Sequence, residues 1–174
     1  GACNEAETLS FLALNVCGIL SKLKCPDFVA FITQYHIVVI SESKLDNTDS
    51  VEVPGYIPFY KNRGKFRRKS GGILLLVRKE LAPYITIYEK KANQGNVVGL
   101  ASKQYRFVNH DLCDNILFFK ISNQIISHNV LFGAVYIPPE GSPFENKEVF
   151  KEIEESLLFL EHGCICLLGD FNAR

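Results

Sequence analysis

The chain has 174 residues, of which 47% are hydrophobic and 22% charged, an ordinary composition for a folded globular protein and not for a disordered one. Nineteen basic and nineteen acidic residues cancel, so no global field draws the protein to nucleic acid, and any attraction to phosphate must come from a local patch. No apolar run reaches the length of a membrane span, the N-terminus lacks a secretory pattern, and the absence of any Met suggests a piece of a longer chain.

Taken in chain order, "LSFLALNV" (9–16) reads as a strand. A helix is expected over 22–35, opening near Pro26, with Phe28, Phe31, Ile32 and Tyr35 along one stripe. "IVVIS" (37–41) is a continuous apolar run, the pattern of a strand covered on both faces. A polar loop follows, then the apolar strand "GGILLLVRK" (71–79), and Pro83 opens the strand "YITIYEK". Residues 91–104, rich in Asn, Gln, Gly, Lys and Ser, suggest no regular element. "NILFFKIS" and "HNVLFGAVYI" flank "NQII" and are expected to form a hairpin or meander.

Ser142, Pro143 and Glu145 form a capping-box pattern, predicting a helix over 143–161 with Phe150, Ile153, Leu157 and Leu160 facing the core and Gly163 as its stop. "CICLLGD" is the last strand. Strands with two covering helices indicate a layered α/β arrangement in a single domain. The six cysteines fall mostly within apolar runs and read as reduced core thiols; the spacing in "HGCIC" does not match a four-ligand zinc site.

Polar side chains collect just past the apolar runs: Asn15, Glu42, Tyr136, and the pair Asp170 and Asn172. Ligands in α/β sheets gather at strand ends. Carboxylate, amide and phenol oxygens suit Mg²⁺ and phosphate rather than a soft metal. Each residue alone also fits a turn, a cap or a packed ring. The segment "KNRGKFRRKS" concentrates Lys61, Arg63, Lys65, Arg67, Arg68 and Lys69 around Phe66, the chemistry of either a solvated loop or a contact with DNA phosphates.

The stretches "LALNVCGI", "HIVVISESKLD", "VPGYIPFYKNR", "KSGGILLLVRKEL", "FGAVYIPP" and "LLGDFNAR" resemble, in order, the endonuclease/exonuclease/phosphatase superfamily. "SESKLD" and the Gly-Gly of "KSGGILLLV" are most similar to the endonuclease domains of non-LTR retrotransposons, relatives of the abasic-site endonucleases. The resemblance implies a four-layered α/β sandwich, incomplete at its C-terminus. It also implies Mg²⁺-dependent (or Mn²⁺-dependent) nicking of DNA. The partners it implies are DNA and the remainder of a reverse-transcriptase polyprotein, in the nucleus.

By the same resemblance Glu42 and Asn15 belong to the metal site, and Tyr136 contacts the scissile phosphate. Asp170 activates water or protonates the leaving group, and Asn172 orients the phosphate and Asp170. Arg63, Lys65, Arg67, Arg68 and Lys69 would contact nucleic acid. Cys17 stands where some relatives carry Asp, and a thiol is a poor Mg²⁺ ligand. The family's closing Ser-Asp-His has no counterpart after Asp170, and "NHD" at 109–111 has its letters in another order, so low activity is expected of this chain alone. A non-catalytic nucleic-acid-binding remnant and a phosphatase or phosphodiesterase of the same superfamily are the alternative readings.

Overall fold

A computed structural model describes residues 8–63, 69–89, 106–109 and 114–172. Its elements are β1 (Phe11–Asn15), α1 (Ile19–Lys22), α2 (Pro26–Ile32), β2 (Ile37–Ser41), β3 (Tyr56–Lys61), β4 (Ile73–Arg78), β5 (Ile85–Glu89), β6 (Arg106–Asn109), β7 (Ile116–Ile121), β8 (Val130–Tyr136), α3 (Val149–Leu158) and β9 (Cys164–Asp170). They form two sheets, ordered β1-β2-β4-β3 and β6-β5-β7-β8-β9.

The apolar runs occupy the middle of each sheet. Every residue of β2 is buried, because β1 and β4 flank it and both its faces are covered. One face of β2 and β4 (Ile37, Val39, Leu75, Val77) meets Leu117, Phe119, Phe132 and Ala134 of the second sheet to form the central core. The opposite face (Val38, Ile40, Leu74, Leu76) is covered by Ile19 and Ile32 from α1 and α2. On the outside of the second sheet Ile116, Phe118, Leu131 and Val135 meet Val149, Ile153 and Leu160. The layers run helix, sheet, sheet, helix, the expected four-layered α/β sandwich.

Several expectations need correction. Of the segment 22–35 only Pro26–Ile32 forms the expected helix, opening at Pro26 as anticipated but ending early, with Phe31 left 41% exposed, and the separate short helix Ile19–Lys22 precedes it. β3 lay in the segment read as a polar loop. Among the described strands it is an edge strand paired only to β4, so Pro58 costs it no ladder bond on the outer side. β6 was likewise not anticipated. Ser142 and Glu145 do make reciprocal contacts, to the amides of Phe144 (3.1 Å) and Gly141 (3.0 Å), but these close a local turn. The helix begins only at Val149, so its buried face is Val149, Ile153 and Ser156, and Phe150 is turned out, 63% exposed.

The cysteines are not core thiols as a group. Cys17, Cys25 and Cys164 are exposed, and only Cys166 of those described packs against the core. Cys17 and Cys25 lie outside the strands, and Cys164 opens β9, which among the described strands pairs on one side only. Cys3 and Cys113 lie outside the described residues.

Candidate active site

Two parallel strand pairs deliver the site. β1 runs beside β2 with Asn15 opposite Ser41, and β8 runs beside β9 with Tyr136 opposite Asp170. The C-terminal ends of both pairs arrive at the same edge of the sandwich, one pair from each sheet. Two hydrogen bonds tie them together. The buried Ser41 hydroxyl donates to the Val135 carbonyl across the sandwich at 3.1 Å, and the Asn15 amide Nδ2 donates to Asp170 Oδ2 at 2.6 Å.

Asp170 is held on both oxygens, since its Oδ1 accepts the backbone N–H of Asn172 at 3.0 Å. It is thus an oriented acceptor, facing the position where Asn15, Glu42 and Tyr136 converge. The side-chain amide of Asn172 is donated elsewhere, to the Ile137 carbonyl at 2.7 Å, so here it is the backbone of Asn172 that orients the carboxylate. Gly169 makes this approach possible. With φ at +139°, a Cβ there would stand 2.0 Å from the Val135 carbonyl oxygen.

Glu42 lies one residue past β2. Its carboxylate is 3.5 Å from the Lys44 ammonium and 3.9 Å from the Cys17 sulfur, and Lys44 Nζ is 2.9 Å from that sulfur. The hydrogen bond to Cys17, with the Glu42 carboxylate in support, raises Lys44 above the ordinary lysine range. The backbone of Cys17 is fixed by Asn15 Oδ1, which accepts its N–H at 3.1 Å.

Backbone conformation marks the same place. Among the described residues the non-glycine positions with positive φ are Cys17 (49°), Glu42 (55°), Lys44 (53°) and Asn172 (43°), all in this cluster. Such conformations cost on the order of 1 kcal/mol or more each and persist where surrounding structure enforces them, typically at functional sites.

Tyr136 is 7% exposed. Burial first, then the negative fields of Glu42 and Asp170, push its phenol above the ordinary tyrosine range. The hydroxyl therefore stays protonated and available as a donor across physiological pH. Its ring lies under the Arg63 guanidinium, 5.9 Å from the ring centroid, with Phe144 on Arg63 as well at 5.1 Å.

The structure thus brings Asn15, Glu42, Tyr136, Asp170 and Asn172 together at one locus, with the Asn172 side chain turned to Ile137. The sequence reading assigned no role to Lys44, Ser41 or Phe144, although Lys44 sits two residues after Glu42 in "SESKLD", where a cation beside a carboxylate is visible. Of the basic residues, Arg63 joins the cluster. Lys69 is engaged with Asp46 (3.2 Å) and Asp49 (2.7 Å), an arrangement that, after the Thr48 hydroxyl and amide, holds the Asp46 carboxyl well below the usual range. Lys65, Phe66, Arg67 and Arg68 lie outside the described residues.

Among the described residues no group of three or more His, Cys, Asp or Glu side chains forms a preassembled metal cage. A cation preferring many water ligands needs less: Mg²⁺ is commonly held by one or two carboxylates plus substrate oxygens. Glu42 fits that demand, and the Lys44 ammonium against it shows that the position attracts positive charge. Cys17, the thiol beside it, is not a Mg²⁺ ligand by its chemistry. No helix among the described residues is long and apolar enough to cross a membrane.

Neither a protein-family model nor a curated protein matches the sequence. Solved structures do match in fold. The AP endonuclease LMAP from Leishmania major aligns with a TM-score of 0.67 at 18% identity, covering 95% of this chain and 55% of that one. An endonuclease/exonuclease/phosphatase family protein from Leptotrichia buccalis aligns at 0.57 and 15% identity, covering 95% and 69%. The 3′ phosphatase NExo from Neisseria, solved bound to a product DNA hairpin, aligns at 0.53 and 19% identity, covering 94% and 57%. The chain has the fold of these proteins and spans between about half and two thirds of their length.

Proposed function

We propose that this chain is part of a Mg²⁺-dependent DNA-nicking endonuclease domain derived from a retrotransposon, working with a reverse-transcriptase polyprotein on genomic DNA in the nucleus. The observation that carries the proposal is the convergence of Glu42, Asn15, Tyr136 and Asp170 at one edge, with Asn15 bonded to Asp170 across the two sheets. The fold it shares with an AP endonuclease and with a phosphatase solved on DNA supports phosphodiester chemistry, and "SESKLD" with "KSGGILLLV" supports the retrotransposon branch.

A phosphodiester resists hydrolysis because it is anionic, so the site must orient a nucleophile and neutralise charge that builds on phosphate oxygens. A Mg²⁺ ion held by Glu42, with Asn15 beside it, would supply Lewis-acid neutralisation of that charge. Asp170 accepts hydrogen bonds on both oxygens from Asn15 and Asn172, which fixes its direction as a proton acceptor for water or donor to the leaving oxygen. Tyr136 keeps its proton and donates to a phosphate oxygen. Lys44 steadies Glu42 and adds positive charge.

The test is nicking of supercoiled plasmid beside hydrolysis of a simple phosphomonoester, with Mg²⁺, Mn²⁺ or chelator. Metal-dependent nicking lost in Glu42→Gln supports the reading. Monoester hydrolysis without nicking would favour a phosphatase, and DNA binding with neither activity a non-catalytic remnant.

A further inference from the structure

Buried polar atoms lacking a hydrogen-bond partner are rare in native proteins, and each asks for an explanation. Among the described residues they are Arg63 Nη1, Ser43 Oγ, Asn62 Oδ1 and Ser70 Oγ, and Arg63, Ser43 and Asn62 lie against the neighbouring glycines Gly71 and Gly72. A Cβ on Gly71 would stand 3.1 Å from Arg63 Cζ and Nη1 and 3.2 Å from the Tyr136 ring; one on Gly72 would stand 2.8 Å from Ser43 Oγ. Both glycines adopt positive φ (59° and 87°), and at these distances a side chain would collide, so the bare backbone packs directly against Arg63, Tyr136 and Ser43.

Arg63 is the centre of this group. Its guanidinium lies over the rings of Tyr136 and Phe144, while Asp114 influences it through space. A guanidinium cannot lose its charge to escape burial, and a desolvated donor left unpaired is costly. Arg63 as a whole is only half buried, so an oxygen anion on its open side can compensate a charge that the protein itself leaves unpaired. A planar fork, held on the same Tyr136 that faces Asp170 and Glu42, matches a phosphate.

We propose that Arg63, seated on Tyr136 and Phe144 and packed against Gly71, binds a backbone phosphate of the DNA substrate at the candidate active site through the open side of its guanidinium. The proposal rests on the reading of the site as a DNA phosphodiesterase centre and assigns Arg63 a role distinct from that of a solvated loop cation.

The experiment uses the full 174-residue chain with chelator present. Inorganic phosphate is titrated while the Arg63 guanidinium nitrogen signal is followed by NMR, and affinity for a fluorescent duplex is measured across a salt series. Phosphate should shift the Arg63 signal saturably. Arg63→Ala should weaken duplex binding roughly 10-fold or more, and should flatten the slope of log affinity against log salt by about 0.9. Arg63→Lys, which keeps the charge but not the fork, should hold the slope and still lose affinity. Lys151→Ala, an exposed lysine on α3, should change neither. If Arg63→Ala fails to fold, Arg63→Lys and the phosphate titration of the unaltered chain carry the test. An unmoved Arg63 signal, or Arg63→Lys binding as tightly as the parent, would overturn the proposal. Glu42-dependent nicking with a silent Arg63 sinks this inference alone; a phosphate-responsive Arg63 with no nicking sinks the endonuclease reading and leaves the seat standing.

Discussion

The amide nitrogen of Asn15 lies 2.6 Å from the carboxylate of Asp170, 155 residues further along the chain and in the other sheet. Each sits at the end of a strand whose partner also ends in a site residue or its anchor. The bond therefore does two things: it aims Asp170, and it closes the sandwich at the edge where the chemistry is proposed. Asn15→Ala should lower kcat by roughly 10-fold or more, with KM nearly unchanged, because it removes orientation rather than substrate contact. Asn15→Asp should do worse, since it sets two carboxylates against each other. Steady-state kinetics of both variants, with thermal unfolding as control, check this.

Gly169 tolerates no side chain. A methyl group there would overlap the Val135 carbonyl and force an L-residue into φ near +139°. Gly169→Ala should destabilise the fold by at least ~3 kcal/mol, as expected when strain and backbone overlap coincide. Urea unfolding measures it. A loss below ~1 kcal/mol would mean that β9 can shift away from β8 at little cost.

Much of this site was legible because β2, β8 and β9 are apolar runs that stop at a polar residue, and β1 ends on Asn15; the stopping point is what the chain shows. β3 was not legible, since an edge strand half exposed and interrupted by Pro58 lacks both the alternation and the apolar run that mark a strand. The start of α3 was misread for a different reason. Ser142 and Glu145 satisfy the same amides in a lone turn as in a capping box, so the pattern alone could not say whether a helix continues. Lys44 and Arg63 escaped a defined role because their importance lies in what they touch, Cys17 with Glu42 and Tyr136 with Phe144, and those contacts are long-range.

A face around α3 and β9 is unusually apolar. Phe150, Leu158 and Phe159 are 63%, 80% and 71% exposed, and β9 carries Ile165 at 40% with one edge unpaired among the described strands. Exposed apolar surface and an open edge promote self-association. The purified chain should associate at micromolar concentration, and Leu158→Glu combined with Ile165→Lys should reduce it. Light scattering coupled to size exclusion reads the outcome; a monomeric parent chain would show that this face is harmless.

Tyr136 should titrate late. Its folded-state pKa lies above the usual value of about 10, chiefly because of burial. The stabilisation tied to its protonated form is full below the unfolded-state value and is lost as pH rises through the folded one. Phenolate absorbance at 295 nm, compared between the parent and Tyr136→Phe, should lose a component above the ordinary tyrosine range. A component lost at or below it would place the hydroxyl in water.

The central claim is that groups from both sheets act as a single phosphodiesterase centre. It is tested most directly by Mg²⁺-dependent nicking of supercoiled DNA under single-turnover conditions, protein in excess, for Glu42→Gln, Asp170→Asn and the double variant. Each single change should cost on the order of 10²-fold or more, and the double variant should be no slower than the worse single, because groups acting as a unit are not additive. Parent-like rates in either single variant, or losses that multiply in the double, would contradict it.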